Sequence, residues 1–125
     1  MIPVTLTYAG LLGLLSVLLA NYVLFVRLRA STAAAWQPPA AERVQGNFVE
    51  NVPIAIVLLF LVEMAGAPAG FIHVCGSALV LMRCLHAWGL GRNEGANYPR
   101  LIGAQGSFVI ISVLAMTAVV LGIRG

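Results

Sequence analysis

One segment of the chain places a cation, an amide and a carboxylate inside a long apolar stretch. Arg43, Asn47 and Glu50 recur at spacings of four and three residues, so a helix carries them on one narrow stripe. With a rise of about 1.5 Å per residue, Glu50 lies roughly 10 Å further along this helix than Arg43. The stripe could be a binding site or an internal ion pair that fixes helix packing. A charge inside a membrane costs about 2.5–3.5 kcal/mol and usually marks a site, which favours the first interpretation.

The composition indicates an integral membrane protein. Of the 125 residues, 61% are hydrophobic and 9% are charged, whereas about a quarter of a soluble chain is charged. All seven basic residues are arginine, and the chain has no lysine or aspartate. The net charge of +3 does not indicate nucleic-acid binding, because the arginines follow the membrane topology instead of forming a basic tract. The first apolar run lacks a basic start and is too long for a signal peptide, so it predicts a helix that stays attached.

Four apolar segments are each long enough to cross about 30 Å of hydrocarbon. We therefore predict an all-α fold, a single transmembrane four-helix bundle over residues 1–125, with helices at about 5–26, 40–65, 69–90 and 100–123. Arginines concentrate in the first and third loops, whereas the N-terminus and the second turn have none. By the positive-inside rule, both chain termini lie on the outer side.

Depth along the helices suggests further partners. Arg83 and Glu50 each lie about seven residues inward from the same side of the membrane, so they could form a contact, direct or shared with a ligand. Glu63 lies near the outer surface, where His73 is a candidate partner. Cys75 and Cys84 lack metal-ligand spacing and fit small buried hydrophobes. No metal, haem or nucleotide site is expected.

With these residues in place, the sequence resembles the MAPEG superfamily, the membrane-associated proteins of eicosanoid and glutathione metabolism, and in particular its small bacterial members. The resemblance covers essentially the whole chain. Its most specific part is the pattern R-x-Q-x-N-x-x-E-x-x-P, present here as Arg43, Gln45, Asn47, Glu50 and Pro53. It implies a multi-pass protein of the bacterial inner membrane.

The resemblance also implies a homotrimer that binds glutathione as co-substrate between neighbouring subunits, close to the cytoplasmic side. The residues that it assigns to glutathione binding, together with Arg83 from the depth argument, are Arg43, Asn47, Glu50, Gln45, Asn51, Arg27, Arg29, His86 and Arg83. Arg100 resembles the arginine that stabilises the glutathione thiolate and is the candidate catalytic residue.

The chemistry of glutathione agrees with this set of residues. Guanidinium groups suit its two carboxylates, and a buried glutamate suits its ammonium group. A free thiol has a pKa of about 8.5, so a nearby guanidinium is needed to favour the reactive thiolate at neutral pH. We therefore expect transferase or peroxidase activity on hydrophobic electrophiles. However, active relatives often carry tyrosines where His86 and Leu90 lie here, and Tyr98 could supply a phenol instead.

Two alternatives remain open. The same fold could bind glutathione or a lipid without turnover. A small proton-coupled multidrug exporter would have a similar length and one buried glutamate, but in its first helix. Here the first helix has no charge before Arg27, and the glutamate is in the second helix beside Arg43.

Overall fold

The protein folds into four long helices, as predicted. The computed structural model describes the backbone of residues 2–30, 38–92 and 98–125, with all side chains in these ranges except those of residues 30, 38, 40, 89–92 and 98–100. The helices are α1 (Thr5–Ala30), α2 (Pro38–Met64), α3 (Ala69–Arg92) and α4 (Tyr98–Arg124). Each contains an apolar span long enough to cross a membrane. The all-α, four-helix membrane fold is therefore confirmed.

The helices run alternately up and down, and α2 and α3 each contact all three of the other helices. The buried face of α2 supplies Val44, Phe48, Val52 and Ala55 to one core cluster and Leu59 and Val62 to a second. The outer surfaces of the bundle expose large aliphatic side chains, as expected where a bilayer replaces water. The bundle thus has two ends: the terminal end, which carries both chain termini, and the arginine end, which carries Arg27, Arg29 and Arg43.

Helix boundaries differ from the prediction mainly at the arginine end. α1 continues through Arg27 and Arg29 to Ala30, about one turn beyond the predicted stop at residue 26. Charged residues end an apolar span, but arginine is a good helix former, so the helix itself continues. α2 begins at Pro38, where a proline is well tolerated because the first amide of a helix has no partner within it.

The turn between α2 and α3 is set by Gly66. This residue has a φ of 100°, a conformation that glycine adopts without steric cost. Its amide donates to the carbonyl of Glu63, and the Ala67 amide donates to the carbonyl of Val62. These two bonds form a Schellman motif, which satisfies the last carbonyls of α2 and reverses the chain within a few residues.

α3 and α4 come into close backbone contact at Gly103. A Cβ atom there would lie 2.5 Å from the backbone nitrogen of His86 and 2.6 Å from the carbonyl oxygen of Met82. Only glycine allows this backbone contact, which brings the first turns of α4 against the part of α3 that carries Arg83 and His86.

The two cysteines of α3 differ in their surroundings. Cys75 is buried in the second core cluster, as expected for a small hydrophobe. The expectation of burial is wrong for Cys84, which is exposed. The two residues lie nine positions apart, which is two and a half helical turns, so they point to opposite sides of α3.

Glu63 holds the start of α1. Its carboxylate accepts hydrogen bonds from the Val4 and Thr5 amides and from the Thr5 hydroxyl. The first amides of a helix have no intrahelical acceptor, so Glu63 supplies the cap from another helix. The candidate partner His73 makes no hydrogen bond to this carboxylate and acts on it only by electrostatic attraction. The His73 ring instead shares a 2.7 Å hydrogen bond with the Tyr8 hydroxyl.

We expect Glu63→Ala to destabilise the bundle by about 1 kcal/mol, the usual cost of losing a helix cap. The thermal midpoint of the detergent-solubilised protein, followed by circular dichroism, measures this loss. The neighbouring residue Met64 is 64% exposed, so Met64→Ala is the matched control and should leave the midpoint unchanged. Equal midpoints for the two variants would refute the capping role.

Candidate functional site: a polar cavity on the second helix

A polar cavity of about 530 Å³ lies along α2 at the arginine end of the bundle. Seven of the described residues line it, six from α2 and one from α3: Pro39, Glu42, Arg43, Gly46, Asn47, Glu50 and His86. The α2 residues recur every three or four positions, which is the spacing of one helical face. The volume lies within the roughly 300–1,000 Å³ typical of small-molecule sites.

The structure brings together four of the residues that the sequence nominated. Arg43, Asn47 and Glu50 share the cavity as their helical spacing predicts, and His86 joins them from α3. His86 is only 3% exposed, so its ring forms part of the inner wall.

Sequence reasoning missed the other three lining residues, Pro39, Glu42 and Gly46. They follow one another at spacings of three and four on the same face as Arg43 and Glu50. Extending the stripe toward the start of the helix would have found Pro39 and Glu42, and widening it by one position would have found Gly46. A Cβ atom built at Gly46 would have no neighbouring atom within 4 Å. The missing side chain therefore leaves the middle of the cavity open.

Arg43 and Glu50 present their charges to the cavity. Both side chains are exposed, and the ion pair between Arg27 and Glu42 is the only one within the described part of the chain. Arg43 and Glu50 therefore do not neutralise each other directly. Both belong to the segment that spans the membrane, where an exposed charge is costly unless protein or a polar ligand covers it.

Arg83 lies behind the cavity and does not line it. The side chain is 2% exposed. Its Nη2 donates a 2.6 Å hydrogen bond to Asn47 Oδ1, and its Nη1 donates one of 3.2 Å to Ser107 Oγ. Arg83 and Glu50 lie at similar depth in the membrane, but the direct contact suggested between them is not formed. The Arg83 guanidinium points instead to Asn47, about one helical turn before Glu50 on α2. A contact shared through a ligand stays a prediction.

Four other nominated residues lie outside the cavity lining. Arg27 pairs with Glu42 at 2.8 Å, with exposed fractions of 59% and 45% for the two side chains. Arg27 thus touches the site through a lining residue. Arg29 stacks over the Phe25 ring at 5.2 Å.

The remaining two of these four residues lie on α2. The Asn51 side chain donates to the backbone carbonyl of Asn47, and Gln45 is half-buried. Neither side chain lines the cavity.

Arg100, the candidate catalytic residue, lies in the first turn of α4. Its side chain, like those of Leu90 and Tyr98, is outside the described residues. The backbone position of Arg100 is nevertheless informative. Gly103, one turn further along, contacts the backbone of His86, so α4 enters the bundle beside a residue that lines the cavity. The role of Arg100 stays a prediction.

Comparison with known proteins identifies the family. The family model for the MAPEG family matches residues 5–120, which include nearly all of the four helices. The chain belongs to the MAPEG family. Two curated relatives share 38% identity over 89 residues, covering 65% of this chain and 68% of the relative. Each is an inner membrane protein called YecN, one from Escherichia coli strain K12 and one from E. coli O6:H1 strain CFT073. No solved structure matches.

Family membership and the four spans define this protein as a multi-pass protein of the bacterial inner membrane. Membership also argues against the small multidrug exporter, which is a different class of four-helix protein. Within the described residues no group of three or more histidine, cysteine, aspartate or glutamate side chains could hold a metal ion. The polar groups that line this MAPEG cavity are a guanidinium, two carboxylates, an amide and an imidazole.

Proposed function

We propose that this MAPEG protein binds glutathione in the α2 cavity and conjugates it through its sulfur to hydrophobic electrophiles, or uses it to reduce hydroperoxides. The observation that carries the proposal is the convergence of Arg43, Asn47 and Glu50 on one cavity inside a membrane helix. These three residues belong to the motif on which the resemblance to glutathione-dependent relatives rests.

The charges of the cavity suit glutathione. A guanidinium such as that of Arg43 binds a carboxylate through two parallel hydrogen bonds. Glu50 and Glu42 on the same wall suit the single ammonium group. The second carboxylate of glutathione needs a further cation, and Arg27 or Arg29 at the end of α1 supplies it in this proposal.

A homotrimer would complete the site. Arg43 and Glu50 are exposed on the surface of a single chain, although they lie within a membrane span. A neighbouring subunit with glutathione between the two copies would remove both charges from lipid. The arginine end then lies on the cytoplasmic side, following the positive-inside rule.

Arg100 is the residue that we assign to activation of the thiol. A guanidinium close to the sulfur stabilises the thiolate relative to the thiol, and the thiolate is the nucleophile. The sulfur then attacks the electrophilic carbon as the leaving group departs. The apolar surface of the helices admits substrates that partition into the bilayer.

Calorimetric titration of glutathione into the detergent-purified protein tests the proposal, with ultraviolet absorbance of the thiolate recorded on the same samples. We expect saturable binding and a thiolate signal at neutral pH. Absence of binding at millimolar glutathione, in a sample shown to be a folded oligomer, would reject the proposed function.

We expect Arg100→Ala to reduce turnover and the thiolate signal while leaving glutathione affinity within several-fold of the wild type. The physical reason is that the guanidinium stabilises the charge on sulfur more than it holds the rest of the tripeptide. Arg124→Ala, at the other end of α4, is the matched control and should change neither quantity. Loss of binding in Arg100→Ala, without a separate effect on rate, would show that Arg100 is a binding residue.

A second candidate function is glutathione binding without turnover. The observation that favours it is the imidazole of His86 in the cavity wall, at a place where active relatives often carry tyrosine. Saturable binding without a thiolate signal would favour this candidate over the transferase.

A further inference from the structure

A chain of hydrogen bonds runs from α4 through α3 to the cavity on α2. Ser107 Oγ donates to the carbonyl oxygen of Gly103 at 2.7 Å and accepts from Arg83 Nη1. Arg83 Nη2 donates to Asn47 Oδ1. Ser107 and Arg83 are 0% and 2% exposed, so water does not compete for these bonds.

The donor and acceptor of each hydrogen bond in this series are fixed by the chemistry of the side chains. A guanidinium has five N–H donors and no acceptor, so the Asn47 atom that faces Arg83 must be the amide oxygen. The hydroxyl proton of Ser107 is already committed to Gly103, which leaves its oxygen free to accept from Arg83. The Ser107 hydroxyl and the Asn47 amide therefore each have one possible orientation in this series of hydrogen bonds.

The consequence for the cavity is a donor in a fixed position. Asn47 lines the cavity, its oxygen is held by Arg83, and its Nδ2 donates to no residue in the described part of the chain. We infer that Arg83 and Ser107 are positioning residues that lock the Asn47 amide so that its N–H group faces the cavity and selects a carbonyl or carboxylate oxygen of the ligand. This inference rests on the proposed function, because it assigns that oxygen to glutathione.

Two variants of Asn47 separate thermal stability from glutathione affinity, which would change together if Asn47 had a purely structural role. Asn47→Asp keeps an oxygen for Arg83 and adds a favourable charge, but it replaces the cavity-facing donor with an acceptor. Asn47→Ala removes both groups. If Asn47 only supports packing, the aspartate variant should resemble the wild type in every respect, and the alanine variant should be impaired.

The test measures thermal midpoints and glutathione affinities of the two variants in detergent. We expect the midpoint of Asn47→Asp to equal or exceed that of the wild type, and that of Asn47→Ala to be lower. We expect the reverse order for binding: a loss of about 10-fold for alanine and about 100-fold for aspartate, because a carboxylate oxygen then opposes a ligand oxygen. Asn21→Asp is the matched control, since the Asn21 side chain donates to the backbone carbonyl of Val17 and lies outside the cavity lining.

Substitution of Arg83 tests the positioning role itself. Arg83→Met should lower glutathione affinity about 10-fold, measured per folded protein, although Arg83 does not line the cavity. Arg83→Lys keeps a charged donor and should restore most of that affinity. An unchanged affinity in Arg83→Met would overturn the positioning role.

The outcomes distinguish this inference from the proposed function. If the wild type does not bind glutathione, the proposed function fails together with the assignment of the ligand oxygen, whereas the midpoints still decide whether Arg83 holds residue 47. If the wild type binds glutathione and Asn47→Asp binds equally well, the proposed function stands and the fixed donor is wrong.

Discussion

Arg43→Ala and Glu50→Ala are each expected to abolish measurable glutathione binding or to weaken it by about 30-fold or more. Both residues line the cavity, and each would pair with an opposite charge of the ligand. Removal of one partner from a desolvated charge pair costs about 2–5 kcal/mol, because the other charge stays buried without compensation. Calorimetric titration of each variant measures the loss directly.

Two further variants make this result specific. Glu50→Gln keeps the size of the side chain and removes only its charge, so it should lose nearly as much affinity as alanine. Arg124→Ala deletes an exposed arginine at the far end of the bundle and should bind like the wild type. Wild-type affinity in Arg43→Ala or Glu50→Ala would mean that glutathione, if bound, occupies another site.

Gly103→Ala is expected to destabilise the fold strongly, although it adds only one methyl group. The added Cβ would lie 2.5 Å from the His86 nitrogen and 2.6 Å from the Met82 oxygen. Both neighbours are backbone atoms of α3, so relief requires α3 and α4 to move apart. Overpacking of this kind costs about 1–3 kcal/mol or more. We expect a lower thermal midpoint and, because Arg83 and His86 move with α3, weaker glutathione binding.

Gly122→Ala in the same helix provides the control. No atom lies within 4 Å of a Cβ built at Gly122, and replacing a helical glycine by alanine favours the helix by up to about 1 kcal/mol. The midpoint of this variant should therefore equal or exceed that of the wild type. A similar response of the two glycines would contradict the close packing of α3 on α4 at Gly103.

The four helices and the α2 part of the site could be predicted from patterns within short segments of the sequence. Apolar runs of sufficient length predicted four spans, and the structure places helices at the same four segments. The spacing of Arg43, Asn47 and Glu50 predicted a shared face of one helix, and the cavity lies along that face. Both inferences depend only on helical periodicity and on the cost of leaving backbone and charge in hydrocarbon, which are properties of short segments.

Contacts between side chains on different helices could not be predicted from such local patterns. Depth along two helices placed Arg83 near Glu50, but rotation of α3 about its axis directs the guanidinium to Asn47. Glu63 caps an amide 59 positions earlier in the chain, where the sequence suggested a nearby histidine. The depth of a residue along its helix follows from its position in the sequence. The rotation of the helix about its own axis is instead set by the helix faces that pack together.

The sequence by itself thus determined the membrane class, the four spans, the family motif and the charged stripe on α2, because each is encoded within one segment. The resemblance nominated His86, but only the tertiary structure decided that it shares a cavity with the α2 stripe, that Arg83 lies behind this cavity, and that Arg83 holds the Asn47 oxygen. These features depend on the close approach of α3 to α4 at Gly103 and on the faces that α2 shares with both helices. Such contacts join residues far apart in the chain, and no local pattern specifies them.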